Sequence, residues 1–393
     1  MICLVVMKPK ILLITYYVLL ITFSVFSYSQ IDLNLTLSKN PLYLAFQKQM
    51  TSLGYYHRPL STTIFVVLSL LLITYYLLLI TRLKSLSLKN LKRPLLLIAI
   101  IFLLGYPLFS HDIFNYIFNT KMVWLYQQNP HNQVAAYFVH DVWLRFMHNV
   151  HTPAPYAYGW TALSLIPGIL TLTQSLKLSL WGMKLFIACF WLGQLWVLKK
   201  IIKKEFPSPK ENYRWFLFTL NPLVLIETLV VGHNDVVMMF LALVSYYFLL
   251  KTKKFLDKNL LFSLLFLGLS VSIKYATIVL LPLWLIKVFV RRVNLLDIPS
   301  LAAILLFAII FTRPDQLHSW YLIWAFSFAV LSRSKLIVSL FTALTFGALL
   351  RYAPYLYFGH WDPPVYMLRN VIWTTSAVLT LPILKMVRLR RVI

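Results

Sequence analysis

The sequence predicts an all-α polytopic membrane protein, a bundle of about twelve transmembrane helices. Three observations carry that prediction. Sixty per cent of the residues are apolar and only 12% charged, against roughly 25% charged in a soluble domain. Apolar runs recur along the whole chain. The basic residues sit in short clusters between those runs, the pattern of membrane loops.

The charge balance agrees. Thirty-seven Lys and Arg face 11 Asp and Glu, a net charge of +26. In a soluble protein that excess would point to nucleic acid. Here its placement between apolar runs points to the membrane, and no nucleic-acid partner is expected. Cys3 lies near the N-terminus and Cys189 inside an apolar run. No disulfide between them is expected, and they lack metal-ligand spacing.

Taken in order, Lys8 and Lys10 precede an apolar run from Ile11 to about Ser29. No convincing small-residue cleavage site follows it, so it reads as a first span rather than a removed signal peptide. Spans are expected at 11–29, 62–81, 94–109, 179–198, 213–230, 235–250, 259–273, 275–290, 298–313, 319–332, 336–351 and 367–386. Several are shorter than the ~20 residues that cross a bilayer. They rest on the clusters Arg82/Lys84/Lys89/Lys92/Arg93, Lys199/Lys200/Lys203/Lys204, Lys251/Lys253/Lys254/Lys258, Arg291/Arg292, Arg333/Lys335 and Arg388/Arg390/Arg391, all on one side. That side is assigned as cytoplasmic, with both termini inside.

Residues 158–173 are apolar, but as a span they would move the Lys199–Lys204 cluster outside. They read as a helix in or dipping into the outer interface. The organisation expected is an N-terminal transmembrane hairpin (1–93), a catalytic core (94–332) with an outer loop at 110–176, and a C-terminal transmembrane pair (333–393). No internal repeat is visible.

Acidic residues are informative in so apolar a chain, because charge near a membrane is costly to keep. Asp112, Asp141, Glu227, Asp235, Asp315 and Asp362 fall on or near the expected outer side, as do eight histidines and Lys274, Arg313, Arg351 and Arg369. A polar, His-rich outer face above an apolar body suits an extracytoplasmic active site.

Four segments stand out. From Ser110 to Asn119 a helix is expected whose Asp112, Asn115, Tyr116 and Asn119 share one face, with the opposite face suited to lying on the membrane surface. The structural alternative is an acid placed in a first helical turn by the helix dipole. Asn221-Pro222 and Glu227 followed by Gly232-His233-Asn234-Asp235 combine a Pro kink, an intramembrane acid and a polar turn. There the alternative is a helix cap at Asn234 or Asp235. Lys274 interrupts a long apolar run and marks an outer turn, or else snorkels to the interface. His318-Ser319-Trp320-Tyr321 follows Arg313-Pro314-Asp315, and its rings also fit an aromatic belt.

In this order the segments resemble the polyprenyl-phosphate-sugar-dependent glycosyltransferases of the multispan GT-C fold. Within it they are closest to bacterial α-1,6-mannosyltransferases that use polyprenyl-phosphate mannose. The resemblance is carried by Ser110-His111-Asp112-Ile113-Phe114-Asn115-Tyr116 with Asn129-Pro130, and by Thr152-Pro153-Ala154-Pro155-Tyr156 with Tyr158-Gly159. Asn221-Pro222-Leu223 with Gly232-His233-Asn234-Asp235, Ile273-Lys274-Tyr275 and Trp320-Tyr321-Leu322-Ile323-Trp324 complete it. It covers about residues 94 to 332. It departs where Ala157 intrudes and Trp160 replaces a proline, and the last two spans match nothing in the family pattern.

The resemblance implies transfer of mannose from a polyprenyl-phosphate donor to a glycan or lipid-linked glycan hydroxyl, with Asp112 as the catalytic acid of the outer loop. It implies substrate contacts from His111, Asn115, Tyr116, Tyr156, His233, Asn234, Asp235, Lys274, Arg313, His318, Trp320 and Tyr321. It implies no metal and no cofactor.

The chemistry agrees. A phosphate leaving group needs positive charge around it, for which Lys274, Arg313, Arg351 and Arg369 are candidates. A hydroxyl acceptor needs a carboxylate to take its proton, with Asp235 or Asp141 in reserve to Asp112. Two rival classes remain. A transporter or lipid flippase should show two related halves, and a non-catalytic assembly partner leaves the Asp112 loop unexplained.

Overall fold

The computed structural model describes residues 9–83, 92–206, 208, 212–255, 257–289, 297–312 and 317–389. Among them there are helices and no strands. They run α1 (Pro9–Ser27), α2 (Pro41–Thr51), α3 (Arg58–Leu83), α4 (Lys92–Leu103), α5 (Asp112–Trp124), α6 (Tyr158–Gly168), α7 (Leu176–Glu205), α8 (Tyr213–Thr219), α9 (Pro222–Leu225), α10 (Asp235–Leu249), α11 (Lys258–Ile273), α12 (Leu281–Phe289), α13 (Ile298–Ile310), α14 (Leu322–Ala329), α15 (Lys335–Leu350), α16 (Ala353–Phe358) and α17 (Val365–Leu389).

Four helical stretches are long and apolar enough to cross a membrane: Lys10–Gln30, Arg58–Thr81, Leu176–Glu205 and Lys335–Phe358. The bent pair Tyr213–Thr219 and Pro222–Val231 makes a fifth. Expected spans at 94–109, 235–250, 259–273, 275–290 and 298–313 appear as shorter apolar helices, α10, α11 and α13 among them, that at 319–332 holds only the eight-residue α14, and that at 367–386 falls within α17. Apolar stripes face outward. Along α1, Leu12, Tyr16, Leu20 and Phe23 are buried while Ile14, Val18, Ile21 and Val25 are exposed. Both stripes keep helical spacing. A soluble monomer rarely displays exposed apolar stripes of this kind; lipid covers them.

The third expected span stops early. α4 ends at Leu103 rather than 109, ahead of Gly105 and Pro107. The buried amine of Lys184 on α7 secures this end, donating to Phe102 O and Gly105 O. The span expected over 213–230 is likewise not one helix. It breaks at Leu220-Asn221-Pro222 with a bend of 46°, because Pro222 has no N–H for the preceding turn. Carbonyls freed inside lipid need donors. The hydroxyl of Tyr16 on α1 donates to Leu220 O and that of Tyr76 on α3 to Leu217 O, both at 2.7 Å. Asn221 caps the new helix and donates to Thr345 on α15 at 2.8 Å.

The placement of α5 differs from expectation. A helix with one face on the membrane surface was predicted, yet Ile113 to Met122 are all buried. α6 and α7 close over it, so both faces lie inside protein. Cys189 is a free, exposed thiol on α7, and Cys3 lies outside the described residues.

Candidate active site

The site begins at the short segment between α4 and α5. Phe109 takes a left-handed backbone, with φ +73°, which a bulky residue adopts only when its surroundings hold it there. Its ring stacks face to face on Tyr352, 4.0 Å away and tilted by 5°. Ser110 Oγ accepts from the N–H of Asp112 at 3.2 Å, and α5 starts with Asp112 as its first residue. His111 stacks on His148 at 4.1 Å, its Nδ1 3.0 Å from Phe146 O.

The second wall is the turn between α9 and α10. The chain winds through a wide helical turn at Ile226–Val231 and reverses at Gly232, whose φ is +86°. A Cβ there would lie 2.7 Å from Ile113, so glycine serves both the left-handed backbone and the close approach to α5. The reversal presents His233 to Asp112. His233 Nδ1 lies 3.4 Å from Asp112 Oδ2, and its Nε2 lies 3.3 Å from Glu227 Oε2. These are ion-pair separations without hydrogen-bond geometry, since both ring nitrogens remain without a hydrogen-bond partner.

Three rings form one stack. His233 packs on Trp320 at 3.9 Å, and Trp320 on His318 at 4.3 Å. Asp235 opens α10 buried, its Oδ2 2.8 Å from Lys274 Nζ and its Oδ1 accepting from Trp324 Nε1 at 2.6 Å. Lys274 occupies the extended residue after α11, with its amine 5.8 Å from the Tyr321 ring. Tyr116 packs edge-on against Tyr156 and Trp160, at 4.8 and 4.9 Å, and its hydroxyl accepts from Asn234 N at 3.4 Å. Asn115 Oδ1 accepts from His148 N at 3.2 Å. At Gly159 a Cβ would overlap Ser272. The absence of one lets Ala157 N–H reach Ile273 O at 3.3 Å. The Tyr156–Gly159 segment therefore docks beside Lys274.

The electrostatics follow from this packing. Burial pushes the Asp112 carboxyl up, but the charge of His233 beside it, with Lys274 and His318, outweighs it and brings it down to about 2. Burial alone would lower His233, yet Asp112 and Glu227 together raise it to about 9. At neutral pH His233 is thus an imidazolium, lying between the Asp112 and Glu227 side chains. His318 is lowered to about 4, first by burial and then by the positive groups around it, against the pull of Asp112, so it is neutral.

Buried polar atoms without a hydrogen-bond partner gather here: Tyr156 Oη, both polar atoms of the Asn234 amide and Glu227 Oε2. Native interiors leave few such atoms. Their concentration around one carboxylate suits a site built for a ligand rich in hydroxyl groups.

Of the residues singled out from sequence, His111, Asp112, Asn115, Tyr116, Tyr156, His233, Asn234, Asp235, Lys274, His318, Trp320 and Tyr321 belong to this one network. Arg313 lies outside the described residues. Asp141 is engaged elsewhere. It pairs with Lys121, accepts from Tyr126 at 2.8 Å and caps the turn at Val142–Phe146. His131 stacks on Tyr158 at 3.9 Å, and His360 pairs loosely with Asp362 at 3.8 Å. Sequence reasoning missed Phe109 and Tyr352. Nothing in their local sequence marks them, since their roles arise from a contact between distant segments.

Residues 18–290 match the family model described as alpha-(1->6)-mannopyranosyltransferase, N-terminal domain. The match begins inside α1, earlier than the resemblance expected from residue 94, and ends before His318, Trp320 and Tyr321. Comparison with curated proteins and with solved structures gives no match. With well over half of its length matched, and with every site residue up to Lys274 inside the match, the chain belongs to the alpha-(1->6)-mannopyranosyltransferase family and is a glycosyltransferase.

Proposed function

We propose that this chain moves mannose from a polyprenyl-phosphate donor to a hydroxyl of an extracytoplasmic glycan or lipid-linked glycan, with Asp112 as general base. The observation that carries the assignment is access. The Asp112 side chain is 23% exposed, whereas Asp235 and Glu227 are at 0% and Asp141 at 3%. Asp235 is already matched by Lys274 and Asp141 by Lys121. Asp112 is the carboxylate of this group that a substrate reaches.

The mechanism is a single displacement. The acceptor oxygen attacks the anomeric carbon, the bond to the phosphate oxygen breaks, and its electron pair leaves with the phosphate. The acceptor proton passes to Asp112 as the new bond forms. A weak base suffices, because the hydroxyl becomes acidic as its oxygen gains the bond. The His233 imidazolium keeps Asp112 ionised and oriented. Inversion at the reacting carbon turns a β-linked donor into an α-mannoside. Lys274 places a positive charge at the same turn and is proposed to help hold the donor phosphate.

The same reading places about twelve spans in a GT-C-like bundle in the cell membrane, with both termini cytoplasmic and residues 110–176 outside. Cysteine labelling tests the sidedness in a background lacking Cys3 and Cys189. An impermeant reagent on intact cells should label Asn149→Cys and spare Lys254→Cys; the reverse pattern overturns the topology. The activity is tested with purified protein, membrane extract and a panel of radiolabelled polyprenyl-phosphate sugars. Transfer from the mannose donor is expected. Transfer from a nucleotide sugar with none from the lipid donors would overturn the reading.

A further inference from the structure

A groove of about 560 Å³ opens where three segments distant in sequence meet, within 34–37, 142–146 and 174–177. Its size falls among small-ligand sites, about 300–1,000 Å³. It also lies at a membrane boundary. One wall follows the end of the apolar stretch Lys10–Gln30, and another runs into the start of Leu176–Glu205. Both stretches are long and apolar enough to span, and the ends of spans sit at headgroup level. Leu33, Val142 and Leu178, in or beside these walls, are exposed apolar side chains. The floor is apolar as well, with Leu35, Trp143 and Phe146 buried.

The charge in the groove has one sign. Arg145 and Lys177 line it, and no Asp or Glu does. Among the described residues, none of the ion pairs includes either cation. The two acids nearest in sequence are already engaged. Asp32 accepts from the N–H of Asn34 at 2.8 Å. Asp141 pairs with Lys121 and accepts from the N–H of Trp143 at 2.9 Å. Asn34, Thr36 and Gln174 add amide and hydroxyl groups to the lining. Two cations, neutral hydrogen-bonding groups and an apolar rim at headgroup level match a molecule with a negative charge, hydroxyls and a hydrocarbon tail.

We propose that this groove holds the headgroup of an anionic phospholipid, with its phosphate on Arg145 and Lys177 and its acyl chains over the apolar rim. Basic side chains at a membrane surface attract anionic lipids, and a guanidinium binds a phosphate through paired N–H bonds. A zwitterionic headgroup would leave the two cations uncompensated, and a soluble anion would gain nothing from the rim. The lipid is not a substrate, since neither Asp112 nor Lys274 lines the groove. It fastens the segment after α1 to the turn at Val142–Phe146. That turn abuts the active site, because Phe146 packs on Phe114 at 5.9 Å and its carbonyl oxygen lies 3.0 Å from His111 Nδ1.

The test uses the full chain in phosphatidylcholine nanodiscs with increasing phosphatidylglycerol, a trace of it carrying a photoreactive headgroup, and maps the labelled peptides. Label is expected on the three groove segments and should saturate. Arg145→Gln with Lys177→Gln is expected to raise the half-saturating phosphatidylglycerol content on the order of 30-fold, about fivefold for each charge. Both side chains are exposed, and Lys177→Gln alone keeps the bond from Arg145 Nε to Val142 O, so a shift of about fivefold in this single variant reads the charge without disturbing the turn. Lys39→Gln with Lys48→Gln removes two exposed cations outside the groove and should leave saturation unchanged. Saturation of the Arg145/Lys177 variant like that of the unaltered protein overturns the site. An equal shift in the Lys39/Lys48 variant also overturns it, as general attraction to a basic surface. Displacement by soluble glycerol phosphate as effective as by phosphatidylglycerol would make it a site for free phosphate. Displacement by polyprenyl phosphate at lower content than phosphatidylglycerol would make it part of the donor site, and either result overturns the phospholipid assignment.

Discussion

The hydroxyl of Tyr352 donates to Glu227 Oε1 across 2.7 Å, while the same ring stacks on Phe109 at 4.0 Å. One side chain from the C-terminal third thus braces both walls of the site. It holds the carboxylate that leans on His233, and it holds the strained residue three positions before Asp112.

Tyr352→Phe should keep the stack and lose the hydrogen bond. Glu227 is fully buried, so the carboxylate oxygen left without its donor should cost about 1–3 kcal/mol. Thermal unfolding of the purified variant reads this as a lowered midpoint. An unchanged midpoint would mean that the bond contributes nothing to the fold.

Asp112→Asn preserves size and most hydrogen bonding but removes the proton acceptor. Turnover is expected to fall by ~10²–10⁴-fold with donor binding nearly intact. Single-turnover transfer and donor binding are measured on the same preparation. Near-normal transfer would move the role to Asp235. A loss of binding in step with transfer would make Asp112 a structural cap.

Lys274→Met tests two roles at once, because the lysine balances the buried Asp235. Leaving that carboxylate without its cation should destabilise the fold by ~3–5 kcal/mol. Adding Asp235→Asn to the same chain should restore much of the stability. Donor affinity measured on this stable double variant then isolates the lysine. Weaker binding supports a phosphate contact. Unchanged binding reduces Lys274 to the partner of Asp235.

The Asp112–His233–Glu227 cluster sets a pH dependence with a definite sign. The His233 value is raised, from 6.5 to about 9. Its stabilising contribution is therefore complete below its ordinary value and is lost as pH rises through about 9. The difference in unfolding midpoint between the unaltered protein and His233→Gln should be largest below about pH 6.5 and should shrink as pH rises towards about 9. A difference that grows with rising pH would reverse the assigned charge state.

Composition and periodicity alone carried the class of protein, the helical register of Asp112, Asn115 and Tyr116, and the break at Asn221-Pro222. They are local properties: an apolar run, an i, i+3, i+4 spacing, a residue without an N–H. The polar segments at 110–119, 232–235, 274 and 318–321 also stood out, because charged and polar groups in an apolar chain are expensive and so are visible one at a time. What sequence left open was which of them meet. It ranked Asp112 first, with Asp235 or Asp141 in reserve, but gave no contact that separates them. The fold supplied those contacts, by placing Lys121 on Asp141, Lys274 on Asp235, and the buried His233 beside a partly exposed Asp112. The sequence also suggested that α5 lies on the membrane surface, since an apolar helical face reads the same against lipid as against α6 and α7. The bracing by Tyr352 had no local signature at all, because a hydroxyl 125 residues from its acceptor acquires meaning only when the chain brings the two together.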